Sequence, residues 1–113
     1  MILDLVSINL TDNNNDCRSN VGGIATSNSG IIRNCGVNSG NIKATNPYGG
    51  TSSTYNNLFI GGIVSYIQST GKVYNCYNKA NITGICTVTG NGYNQPCVGG
   101  IWGSSHTAAS SDG

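Results

Sequence analysis

Glutamate is missing from this chain of 113 residues, and charge of either sign is scarce. Five basic and four acidic side chains make up 8% of the sequence, against ~25% in an ordinary globular domain. With Glu, Leu and Lys so rare, a helical bundle is excluded, because those residues supply most helix propensity. A net charge of +1 leaves no basic footprint for nucleic acid and no polybasic patch for a membrane surface. Long apolar runs are missing too. The longest largely apolar stretch, 58–67, has ten residues and two glycines, far short of the ~20 that a spanning helix needs, so no membrane insertion is expected. No basic-then-apolar signal segment opens the chain. Proline occurs twice, and histidine, tryptophan and phenylalanine once each. Nothing in this inventory names a reaction.

Asparagine and glycine are what the chain has instead, 17 of each, and with serine and threonine they make half of it. They fall into a repeat. VGGI at 21–24, IGGI at 60–63 and VGGI at 98–101 lie 39 and 38 residues apart. GIIRNC (30–35) matches GKVYNC (71–76), and GNIK (40–43) matches ANIT (80–83). Three matches in one order and nearly one spacing mark a solenoid or another repeat architecture. In the second unit, 62–65, 72–76 and 81–84 read as short strands, because apolar and polar residues alternate there with period two. The expected fold is therefore all-β, a right-handed parallel β-solenoid (β-helix) of about three coils, spanning 1–113 as one domain with units near 21–59, 60–97 and 98–113.

The core of such a coil is thin. Ile24, Ile63 and Ile101 should stack as one interior row, Ile32 over Val73 as a second, and Ile42 over Ile82 as a third. Asn34 over Asn75 and Asn41 over Asn81 are candidate side-chain ladders, since parallel in-register strands bring identical residues ~4.8 Å apart. Cys35 and Cys76 share a repeat position and should stack as thiols: a disulfide needs Cβ atoms ~3.8 Å apart, closer than the strand spacing. The stretches 45–59 and 85–97 each carry a proline, which a central ladder excludes, and are expected to leave the ladder as loop excursions. Cys86 and Cys97 bracket the second excursion and would close a loop if oxidised. Cys17, before the first VGGI, is a candidate for pairing between molecules.

The pattern V/I-G-G-I…G-x-I/V-x-N-C…N-I resembles the GLUG motif, a repeat of large bacterial cell-surface and secreted proteins. Residues 21–44, 60–84 and 98–103 carry it, about half of the chain. The resemblance implies a parallel β-solenoid, extracellular or at the cell surface, often adhesin-like. It carries over no catalytic residue.

Candidate chemistry is sparse. Glycoside cleavage normally needs two carboxyl groups ~5–10 Å apart, yet Asp4, Asp12, Asp16 and Asp112 all lie outside the two intact units. Asp12, Asn14 and Asp16 have the D-x-N-x-D spacing that begins a calcium loop. Cys17 stands where that loop has glycine and Gly23 where it has its bidentate acid, so a solvated turn with weak calcium affinity is expected. Cys86, Cys97 and His106 have no C-x-x-C spacing for zinc, and no cofactor is expected. Tyr55, Tyr66, Tyr74, Tyr77 and Trp102 are the aromatics available to a sugar.

The functional expectation is a non-catalytic structural module of an extracellular fibre, stalk or adhesin-like surface protein. A carbohydrate-binding or carbohydrate-cleaving β-helix and a fragment of a longer repeat array are the alternatives. Partners would be further copies of the chain, adjoining repeats, or host or matrix glycans. Head-to-tail docking is expected to join 98–113 to 1–20 of the next copy, making a unit of 36 residues. Met1, Ile2, Leu10 and Gly113 would be its contact ends, with Asn9-Leu10-Thr11 aligned on Asn81-Ile82-Thr83 and Gly113-Met1-Ile2 on Gly71-Lys72-Val73.

Overall fold

Alternating apolar and small polar residues build strands that each need a neighbour to satisfy their backbone groups, and stacking supplies it. A computed structural model describes residues 1–12, 18–46, 55–86, 93–106 and 110–112, with 18, 55–57, 93–95 and 110–112 described through the backbone alone. The first coil holds β1 (Ile2–Leu3), β2 (Val6–Thr11), β3 (Arg18–Gly22), β4 (Ala25–Asn28) and β5 (Ile31–Arg33). The second holds β6 (Gly36–Val37), β7 (Gly40–Asn46), β8 (Tyr55–Gly61), β9 (Val64–Ile67) and β10 (Lys72–Tyr74). The third holds β11 (Tyr77–Asn78), β12 (Asn81–Cys86), β13 (Tyr93–Gly99), β14 (Trp102–Ser105) and β15 (Ser110–Asp112). Corresponding strands pair in parallel, giving five sheets of three strands, each with the second coil in the middle. The chain is an all-β parallel solenoid of three coils.

Five strands per coil replace the three read from the sequence. The described parts of the stretches 45–59 and 85–97 stay in the ladder, where excursions were expected. Ile85 pairs with Thr45, Cys86 with Asn46, and the whole of β13 runs beside β8 from Tyr93↔Tyr55 to Gly99↔Gly61. Pro96 is tolerated because β13 is the outermost strand of its sheet, where a residue without an N–H does least harm. Pro47 and the segments 47–54 and 87–92 lie outside the described residues.

The chain's first residues also take a different place. Ile2–Leu3 pairs with Gly36–Val37 and Val6–Thr11 with 40–45, so they belong to the first coil of their own chain. Ile8, not Leu10, aligns with Ile42 and Ile82. At the other end, Ser110–Asp112 pairs with Lys72–Tyr74, the register expected of Met1 and Ile2. β15 thus supplies from within the chain the strand expected of the N-terminal segment, and the register places Ile8, not Leu10, in the interior row.

Burial follows the stack. Val73 lies over Ile32, Ile82 over Ile42, and Ile63 receives the Ile24 N–H while donating its own to Ile101. Ile42 and Ile63 are fully buried and Val73 nearly so, whereas Ile24, Ile32, Ile82 and Ile101 are only partly covered. In the row Val21, Ile60 and Val98, exposed by 5%, 0% and 46%, the third-coil member alone opens to solvent. Middle-coil residues are covered by a coil on both sides; those of the end coils by a coil on one.

Glycine makes the sharp corner between the third and fourth strands of each coil. A Cβ on Gly22, Gly61 or Gly99 would stand 1.9, 1.9 and 1.7 Å from the carbonyl oxygen of Ala25, Val64 and Trp102. The second glycines answer to the neighbouring coil instead. A Cβ on Gly23 would meet the Gly62 oxygen at 2.2 Å, and one on Gly62 the Gly100 oxygen at 2.1 Å. Gly100 itself has nothing within 4 Å of that position.

Candidate functional site

The same corner aims side chains outward at fixed offsets from its first glycine. Two residues before it stand Asn20, Phe59 and Cys97; five after it stand Ser27, Tyr66 and Ser104. Backbone pairing stacks these sets in rows, Asn20 beside Phe59 beside Cys97, and Ser27 beside Tyr66 beside Ser104. Between the rows lies an open groove of about 500 Å³, lined by Asn20, Ser27, Phe59, Tyr66, Gln68 and Ser104. The Phe59 and Tyr66 rings sit 5.9 Å apart at 44°, a tilted pairing within the range aromatic side chains favour. Beneath them the fully buried Ser65 hydroxyl lies 2.6 Å from the Phe59 carbonyl oxygen and 3.1 Å from Asn20 Oδ1, sharing its proton between them. Gln68 Nε2 donates to Ser27 Oγ at 3.1 Å. The groove wall is thus fixed by bonds that cross coils.

A second polar row runs along the β1–β6–β11 side. Asn38 Nδ2 donates to Asp4 Oδ1 at 2.8 Å, and the Tyr77 hydroxyl donates to Asn38 Oδ1 at 2.5 Å. Lys79 Nζ lies 5.6 Å from the centre of the Tyr77 ring. The ring covers Gly36, where any Cβ would fall 2.2 Å from its carbons. Tyr74 and Trp102 are half-buried, Trp102 against the core. The Tyr55 side chain lies outside the described residues.

The expected ladders pair as follows. Asn75 Nδ2 donates to Asn34 Oδ1 at 2.8 Å, and Asn81 Nδ2 to Asn41 Oδ1 at 3.4 Å. Asn34 and Asn75 have φ of 55° and 48°, a left-handed conformation that asparagine accepts more readily than bulkier residues. Cys35 and Cys76 are free thiols, each donating to the carbonyl oxygen two residues back at 3.2 Å. The Met1 amine lies 3.5 Å from the Asn34 carbonyl oxygen at the rim of this ladder. Ile2 is exposed, and Leu10 pairs with Ala44 at the edge of the first coil.

Of the calcium candidates, Asp12 accepts a short hydrogen bond from the Ser19 hydroxyl; Asn14 and Asp16, with Cys17 and Gly113, lie outside the described residues. Among the described residues no three His, Cys, Asp or Glu side chains come together to hold a metal. No helix there is long and apolar enough to cross a membrane. Compared with protein-family models, curated proteins and solved structures, the chain matches none.

Cys86 and Cys97 are both free. Burial pushes the Cys86 thiol up, and the neighbouring Cys97 pushes it further by like-charge repulsion. Because the fold favours the protonated thiol, its contribution to stability is intact below the unfolded thiol pKa and is lost as pH climbs through the higher folded value. Reactivity follows the thiolate. Peptide-resolved iodoacetamide labelling should therefore modify Cys86 more slowly than an unstructured cysteine peptide at neutral pH, catching up only in alkali. Equal rates at neutral pH would contradict the burial.

Sequence reasoning named Tyr66 but missed Asn20, Ser27, Phe59, Gln68 and Ser104. The offsets of two and five residues from the corner glycine are the signal that finds most of them.

Proposed function

We propose that the chain is a non-catalytic structural module of an extracellular fibre, stalk or adhesin-like surface protein, in which further coils continue its stack. The observation that carries this reading is Gly100. Gly23 and Gly62 must be glycine because the following coil's carbonyl oxygen lies about 2.1–2.2 Å from where a Cβ would be. At Gly100 no described neighbour makes that demand, yet the glycine is kept, as it must be if another coil lies on that face. The exposed Val98 and half-exposed Ile82, Ile101 and Trp102 form the surface such a coil would cover. Parallel strand edges at both faces offer hydrogen bonds, except at Pro96 of β13, which has no N–H to give. The GLUG-like motif of 21–44, 60–84 and 98–103 supports the surface location.

A second copy joined head to tail supplies the coil in the simplest case, generating an open filament. Sedimentation of the chain across a concentration series should show mass rising with concentration. Gly100→Val should keep the wild-type melt, since nothing stands within 4 Å, yet remain monomeric. A wild-type chain that stays monomeric throughout, or a Gly100→Val chain that associates equally well, would overturn head-to-tail stacking.

A further inference from the structure

We propose that the groove between the Asn20–Phe59 and Ser27–Tyr66–Ser104 rows binds a neutral saccharide. Its volume of about 500 Å³ falls inside the ~300–1,000 Å³ of small-molecule sites. Its chemistry is what selects the ligand class. The six lining residues include no charged side chain, so a phosphate, carboxylate or ammonium group would lose water there and gain no counter-charge. What the walls offer is two aromatic rings with two amides and two serine hydroxyls around them. A pyranose ring has the complementary pattern, with C–H faces for the π-surface of Phe59 or Tyr66 and equatorial hydroxyls for the amides.

The polar groups are already oriented. With Nε2 given to Ser27, Gln68 keeps its Oε1 as an acceptor. Asn20, held by Ser65 through Oδ1, keeps its Nδ2 as a donor. A donor and an acceptor in one groove suit a hydroxyl, which both gives and takes a proton, better than a group that only accepts. Five of the six residues flank the glycine corners and Gln68 is bonded to Ser27, so little ordering is needed on binding. With no acid on the wall, the groove holds the sugar without cleaving it. This inference is independent of coil stacking and goes beyond it.

The test is a titration of the ¹⁵N-labelled chain, followed by two-dimensional NMR, with cellobiose, lactose and N,N′-diacetylchitobiose as probes. At least one probe should shift the amides of 20, 27, 59, 66, 68 and 104, with Kd in the ~1 mM range or tighter. Tyr66→Ala should weaken that binding by about tenfold through loss of the ring face, and Tyr66→Phe should retain most of it. Gln68→Ala guards against a folding artefact: Gln68 is exposed, so its variant should keep the remaining spectrum and still bind less tightly. Four results would overturn the proposal: no response to any probe, shifts centred elsewhere, unchanged affinity in both alanine variants, or a stronger response to a uronic-acid disaccharide. None of these bears on the sedimentation experiment, so the two readings stand or fall separately.

Discussion

Ile63→Asp should leave the chain unfolded at room temperature. Ile63 is fully buried in the middle coil, bonded through its backbone to Ile24 on one side and Ile101 on the other. Deleting a buried aliphatic side chain alone costs ~2–5 kcal/mol. The substitution also places a carboxyl group among apolar side chains without a partner, which adds several kcal/mol whether it ionises or takes up a proton. Together these approach the ~5–15 kcal/mol that holds a whole domain. Ile24→Asp should cost less, because Ile24 is in an end coil and only partly buried. Circular dichroism melts of the two variants check the register; an unchanged melt for Ile63→Asp would refute it.

Gly61→Ala should be strongly destabilising. The added Cβ would fall 1.9 Å from the Val64 oxygen and 2.8 Å from the Trp102 Cα. Both are backbone atoms, one in the same coil and one in the next, so neither can swing aside as a side-chain tip would. Overpacking costs ~1–3 kcal/mol even where side chains can adjust. About 3 kcal/mol or more is therefore expected, a fall in Tm of ~10 °C or more. Gly30→Ala is the matched control, because its nearest atom is Asn28 Oδ1 at 4.0 Å. There the stiffer unfolded chain should leave stability level or raise it by ~0.4–1 kcal/mol. Equal melts for the two variants would mean that the corner does not have this geometry.

What was legible in the sequence is what recurs in it. The parallel stack followed from VGGI, and the pairings Val73↔Ile32 and Ile82↔Ile42 follow from the 38–39-residue spacing. The strands that were missed recur in shape but not in letters. Tyr93–Gly99 and Tyr55–Gly61 pair along their whole length, yet beyond V/I-G they share little besides Tyr-Asn at the start. Backbone hydrogen bonds hold a ladder together regardless of side chain, so dissimilar residues can stack, as the buried Leu58 does between Ser19 and Pro96. The two-residue strands Gly36–Val37 and Tyr77–Asn78 are too short for any alternation to register. Pro96 misled for a positional reason: proline excludes a strand from a sheet's middle but not from its edge. The groove was hidden for a different reason. Its walls come from three coils, and only the pairing of those coils shows that Asn20, Tyr66 and Ser104 share one surface.

The row Gly23, Gly62, Gly100 gives the stack a direction of dependence. Gly23 and Gly62 are each demanded by the coil that comes after them, and by no residue of their own coil nearer than that. A gene encoding such a chain can therefore lengthen by copying one coil's worth of codons. The inserted unit arrives with the glycine its successor requires, and its predecessor already carries the one it requires. Growth by duplication then needs no compensating change on either side of the insertion, and the spacings of 39 and 38 residues show that a unit can differ by one residue without losing the rows.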